Sequence, residues 1–143
     1  MLRPGAVCQP DLTLGGQQVP ERRIRITAGQ VQAEAELNDT NTAQAIWDAL
    51  PISASGGTWG DEIYFGIPVN VLLEQGQEVV ELGDLGYWPP GHAFCIFYGP
   101  TPASRGKEIR PASAVTVVGR VLGDVTKFKG SRSGVAVRLE RIE

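Results

Sequence analysis

Apolar and polar residues first alternate at positions 24–37. Ile24 and Ile26 precede a turn at Ala28-Gly29-Gln30, and Val31, Ala33, Ala35 and Leu37 follow at every second position. Arg25, Gln32, Glu34 and Glu36 fill intervening places, so the pattern predicts a hairpin with one buried face. The period then changes. Ala43, Ile46, Trp47 and Leu50 stand at i, i+3, i+4 and i+7, one stripe of an amphipathic helix that puts Trp47 in the core. Residues 39–42 offer N-cap side chains and Pro51 ends the helix. Beyond it, apolar segments at 62–65, 69–73, 78–82, 93–98, 114–122 and 134–142, each bounded by Gly or Pro, predict six more strands. Eight strands and one clear helix make an all-β domain. A closed antiparallel barrel is the expected architecture, because closure removes exposed sheet edges. Residues 1–23 show no period and hold three Pro and three Gly, so they are expected to be a flexible extension ahead of a domain at 24–143.

Composition agrees with this picture. The chain has 143 residues, 42% of them apolar and 20% charged, with 18 Gly and 10 Pro, as short strands and many turns require. No apolar run approaches the roughly 20 residues of a membrane helix. Residues 1–23 lack the continuous apolar core of a signal peptide, so a cytoplasmic location is expected. Cys8 and Cys95 form neither a disulfide framework nor a zinc pattern, and nothing in the chain calls for a metal or cofactor.

Charge adds more than the net value of −3. No Lys or Arg occurs from Ile26 to Ser104, a stretch holding ten carboxylates; from Arg105 to Arg141 nine bases face three acids. Like charges repel within each half and the halves attract, which favours their docking on one another. The acidic half would repel phosphate, and no basic stripe is interleaved with stacking aromatics, so nucleic acid is not an expected partner.

Three stretches hold candidate chemistry. Residues 56–65, Gly-Gly-Thr-Trp-Gly-Asp-Glu-Ile-Tyr-Phe, place Trp59 in a glycine-rich bend beside Asp61 and Glu62. Adjacent carboxylates on a strand point to opposite faces, which argues against a shared-proton pair. Residues 83–92, Gly-Asp-Leu-Gly-Tyr-Trp-Pro-Pro-Gly-His, read as a stiff corner presenting Tyr87, Trp88 and His92. His92 is the sole histidine, and no nucleophile spacing accompanies it. In the third stretch, Phe97 and Tyr98 lead into Gly-Pro-Thr-Pro, and Arg110 opens the next strand, pointing either into a groove or to solvent. A turn plus a core aromatic is the alternative for the first stretch, and a structural or merely exposed histidine for the second.

Taken in order, Thr58-Trp59-Gly60-Asp61-Glu62-Ile63-Tyr64-Phe65, Gly83-Asp84-Leu85-Gly86-Tyr87-Trp88-Pro89-Pro90-Gly91 and Pro111-Ala112-Ser113-Ala114-Val115 resemble a small bacterial and archaeal cyclophilin-like family of unknown function, typified by a Thermotoga protein. The resemblance spans about 24–142. It implies a cyclophilin-like closed eight-stranded barrel with a helix over one end. The arginine, phenylalanine and glutamine cluster of prolyl isomerases has no counterpart here, so no isomerase residue carries over.

Two classes of function are then expected. One is a binding module that holds a peptide or small molecule in an aromatic groove formed from Trp59, Glu62, Tyr64, Tyr87, Trp88, His92, Tyr98 and Arg110, with Phe97 alongside. The other is a divergent peptidyl-prolyl isomerase, for which Arg110 is the nominated donor, or a hydrolase or lyase using Glu62 and His92.

Overall fold

The computed structural model describes residues 22–142, so the expected flexibility of residues 1–21 lies outside the described residues. Eight strands close into one antiparallel barrel. In chain order they are β1 (Arg22–Ala28), β2 (Val31–Leu37), β3 (Ile52–Thr58), β4 (Glu62–Gly66), β5 (Asp84–Trp88), β6 (Ala93–Phe97), β7 (Thr116–Leu122) and β8 (Val135–Arg141). Around the wall the order is β1-β2-β7-β5-β6-β4-β3-β8, with β8 returning to β1. The β1–β2 hairpin and its alternation are as expected, except that pairing begins at Arg22 against Leu37 rather than at Ile24.

Helix α1 (Asn41–Ala49) follows β2. The Thr40 side chain accepts a hydrogen bond from the Ala43 amide as N-cap, and Leu50 closes the C-terminus ahead of Pro51. A second group completes the start of the helix. Glu74, from the long segment between β4 and β5, accepts hydrogen bonds from the Asn41 and Thr42 amides and from the Thr42 hydroxyl. These bonds hold its carboxyl below the usual carboxylate range. Ala43, Ile46 and Leu50 are buried, but Trp47 is not a core residue as the stripe implied. It is half-buried against the core's rim, with the Arg141 guanidinium 4.6 Å from its ring centre.

The total of eight strands is right by compensation. Residues 69–73 and 78–82, expected as strands, are outside the named strands, while β3 was not anticipated and β5 falls in the stretch read as a stiff corner. Both unforeseen strands contain glycine for steric reasons. A methyl on Gly56 would press on Ile63, Val135 and Val137, and one on Gly86 would press on Val115 and Phe97.

The barrel wall is apolar on both sides along part of its circumference. Inside, Ile24, Ile26, Ile63, Phe65, Leu85, Tyr87, Phe94, Ile96 and Leu139 belong to the main core. Outside, Val80, Ala93, Cys95, Phe97, Ile109 and Val115 form a second, smaller cluster under the segments 78–82 and 109–115. The site described next opens on this outer cluster.

Candidate ligand-binding site

Strand alternation selects which side chains reach the outer surface. On β4, Ile63 and Phe65 enter the core, so Glu62 and Tyr64 project outward. Across the β4–β6 pairing Tyr64 lies opposite Cys95 and Glu62 opposite Phe97. Trp88 ends β5 opposite Ala93, and Trp59 stands in the β3–β4 turn with its amide donating to the Glu62 carbonyl at 2.9 Å. Together with Pro111, Ala112 and Val115, these residues enclose a pocket of about 200 Å³ lined by Trp59, Glu62, Tyr64, Trp88 and Cys95.

Its aromatic walls are held in place. The Tyr64 ring passes so close to Gly57 that a methyl there would fall 2.7 Å from it, and the Trp88 indole sits within 2.9 Å of where a Gly91 methyl would be. Trp88 Nε1 donates to Ser113 Oγ at 2.7 Å, which ties the β5 end to the 111–115 segment. The Tyr64 and Trp88 walls are thus seated before any ligand arrives.

The floor of the pocket is acidic. Glu62 is only 6% exposed, and its Oε1 has no hydrogen-bond partner. Desolvation raises its pKa to about 7, offset in part by a hydrogen bond from the Cys95 thiol. Burial, and then the neighbouring carboxyl, push the Cys95 thiol up as well. Near neutral pH the site therefore presents a carboxyl that gains or loses a proton readily, and a neutral thiol.

Four of the eight residues expected to form the groove come together here: Trp59, Glu62, Tyr64 and Trp88. The other four do not. Tyr87 is fully buried on the inner face, where its hydroxyl donates to the Val69 carbonyl at 2.6 Å and anchors the segment over the barrel. Tyr98 also points inward and packs near Phe128, with ring centres 6.3 Å apart. His92 is an exposed residue with φ 47°, ending the short helical turn Pro89–Gly91, and its backbone carbonyl accepts from Ile67. Arg110 lies outside the lining, its guanidinium held by Glu108 at 2.7 Å and reaching Glu78 at 3.8 Å. Phe97 lies in the outer cluster but does not line the pocket. Asp61 is not among the lining residues and reaches Lys129 of the basic half at 3.5 Å.

Cys95, Pro111, Ala112 and Val115 were not anticipated. The Pro-Ala-Ser-Ala-Val motif held the only signal for three of them, and Cys95 was hidden in an apolar run. A larger depression of about 600 Å³, with Glu36, Asp39, Glu81, Asp84 and Arg120 on its walls, opens near β2, β5 and β7. It is a wide polar surface without an aromatic wall, and the smaller pocket is the better-built site.

The cyclophilin-like family profile matches residues 22–140, and the chain belongs to that family. It is similar to a hypothetical protein from Archaeoglobus fulgidus whose solution structure is 45% identical, with a TM-score of 0.74, over 89% of this chain and 99% of that one. Among curated proteins none matches. No helix among the described residues is long and apolar enough to cross a membrane.

Proposed function

We propose that this cyclophilin-like domain binds a small molecule or the side chain of a peptide in the Trp59–Glu62–Tyr64–Trp88 pocket, without efficient catalysis of prolyl isomerisation. The observation behind this reading is the pairing of preset aromatic walls with a desolvated carboxyl that lacks a partner at Oε1. Aromatic walls offer large contact area with few rotors to freeze, and an unmet buried polar atom rewards a ligand able to satisfy it.

Isomerisation asks for something else. The uncatalysed barrier is ~18–20 kcal/mol, and each tenfold in rate requires about 1.4 kcal/mol of preferential binding to the twisted state. A charged donor aimed at the prolyl nitrogen in a dry groove is the natural source of that preference. The nominated donor, Arg110, is engaged by Glu108 and Glu78, and the pocket lining contains a carboxyl and no Lys or Arg.

A protease-coupled proline-peptide assay at micromolar protein should give rates near background. Titration with small amphiphilic ligands should perturb the tryptophan fluorescence of the native chain and not that of Trp59→Phe/Trp88→Phe. Robust turnover lost in Arg110→Ala would restore the isomerase. Equal fluorescence responses in both chains would remove the pocket from consideration.

A further inference from the structure

We infer that the ligand this pocket is built for carries a quaternary ammonium head, seated among Trp59, Tyr64 and Trp88 with the Glu62 carboxylate as counter-charge. The inference rests on the pocket's being a binding site and adds the chemistry of what enters it.

Size comes first. A volume of about 200 Å³ corresponds to roughly six or seven waters at their liquid spacing, room for a compact head group and a short chain. Charge comes next. The carboxyl at the floor disfavours anions, and no lining residue is cationic. The elements supplying Trp59, Glu62, Tyr64, Trp88 and Cys95 all lie in the stretch without Lys or Arg. The nearest arginine in sequence to the 111–115 wall, Arg110, is held by Glu108 and Glu78.

Hydrogen-bond capacity then separates one cation from another. A primary ammonium brings three N–H donors and needs a partner for each, whereas the known polar offer here is one buried carboxyl and a thiol. A quaternary ammonium has no N–H and asks for no such partners. It needs aromatic rings within ~6 Å and an opposite charge, and its methyl groups gain from leaving water. A metal ion would need several oxygen, nitrogen or sulfur ligands. Among the described residues no group of three His, Cys, Asp or Glu side chains is placed to hold one.

Titration of Glu62 makes the inference sensitive to pH. The titratable groups near it are the Cys95 thiol on β6 and the Tyr98 hydroxyl just beyond, both held in their neutral forms by burial, and Asp61, which reaches Lys129. In the empty pocket the Glu62 carboxyl takes up a proton below about pH 7. A bound cation favours the ionised form, so binding expels that proton, and affinity should fall as pH drops.

The test uses the full chain, choline as probe and 3,3-dimethylbutan-1-ol, its uncharged counterpart of the same shape, as control, followed by the three indole N–H signals in NMR. At pH 8, choline should shift the Trp59 and Trp88 signals, leave that of Trp47 in place, and bind at least tenfold more tightly than the alcohol. The preference should shrink at least tenfold at pH 5.5 and vanish in Glu62→Gln, whose folding is checked by its thermal midpoint. Equal affinity for the two probes at pH 8 would overturn the ammonium inference while leaving a binding pocket intact. Failure of choline to move Trp59 or Trp88 would overturn it too, and the amphiphile titration above then judges the pocket separately. A choline preference that survives in Glu62→Gln would remove Glu62 as counter-charge and overturn it equally.

Discussion

The two sides of β6 are buried alike and serve different ends. Phe94 and Ile96 face inward among Phe65, Leu85 and Tyr87, in a space filled by apolar side chains and one satisfied hydroxyl. Ala93, Cys95 and Phe97 face outward under a thinner cover, and beside Cys95 that cover opens into the pocket. Inside, the Tyr87 hydroxyl has its partner in the Val69 carbonyl. Outside, a carboxyl is desolvated to a pKa near 7 and has an oxygen without a partner. Burial alone does not distinguish a core from a site; the difference lies in whether buried polar atoms are satisfied.

The largest expected effect lies on the inner side. Phe94→Ala removes a fully buried ring that packs 5.4 Å from Phe65, and such truncations cost about 3–5 kcal/mol. Denaturant unfolding should show a midpoint shift of that size at unchanged slope. A loss under 1 kcal/mol would mean that the inner face is not the tightly filled core described.

Glu62 should produce the next largest effect. Its pKa is about 7 in the fold and near the ordinary carboxylate value of 4.5 when unfolded. The folded state holds the proton more tightly, so stability is greatest below about pH 4.5 and declines as pH rises to about 7. The full difference is about 3 kcal/mol. Glu62→Gln should lack this decline. Unfolding curves for both chains at pH 5, 6, 7 and 8 would show it as a widening gap, with the variant the more stable at pH 8. A constant gap would mean the carboxyl is hydrated and the pocket wet.

Glu74 should behave in the opposite sense. Its pKa is lowered by the Asn41 and Thr42 bonds, so its contribution is present above the unfolded value and lost as pH falls through the lower, folded one. Glu74→Gln should leave the chain less sensitive to acid, with faster amide exchange at Asn41 and Thr42 at neutral pH and a smaller stability change than at Glu62. Unchanged exchange would show that Thr40 alone secures the helix start.

Legibility in the sequence followed the same division. The β1–β2 hairpin, helix α1 and β8 were readable because their apolar spacing is regular, and β6 because it is a continuous apolar run. β3 and β5 were not, since Gly56 and Gly86 looked like bends when their role is to let neighbouring side chains approach. Trp59, Glu62, Tyr64 and Trp88, which line the candidate pocket, were legible through the glycine-rich motifs around them. Tyr87 and Tyr98 were misassigned for a physical reason. Residues 93–98 are apolar on both faces, so alternation there carries no information about inside and outside until Tyr64 is set against Cys95 and Tyr87 against Phe94. Cys95 was missed on the same ground, and Arg110 could not be placed without its partners Glu108 and Glu78.

The smallest effect on stability should come from the most exposed wall of the pocket, and it is the one that separates the two faces most sharply. Tyr64 is 41% exposed, and its neighbour in sequence, Phe65, is buried in the core. Tyr64→Leu removes an aromatic face while keeping an apolar side chain, so the stability change should stay within about 0.5 kcal/mol, as for other surface substitutions. Binding should respond differently. One of three aromatic walls is lost, and the affinity for a pocket ligand should fall about tenfold, equivalent to about 1.4 kcal/mol. Unfolding curves and a titration on the same preparation provide both numbers. Gly57→Ala offers a second route to the same wall, since the added methyl would displace the Tyr64 ring while leaving the tyrosine itself in place. If Tyr64→Leu destabilised the fold as much as Phe94→Ala, the outer wall would belong to the core, and the distinction between the two sides of β6 would fail. A stable fold with weakened binding in both variants would assign Tyr64 to the site alone.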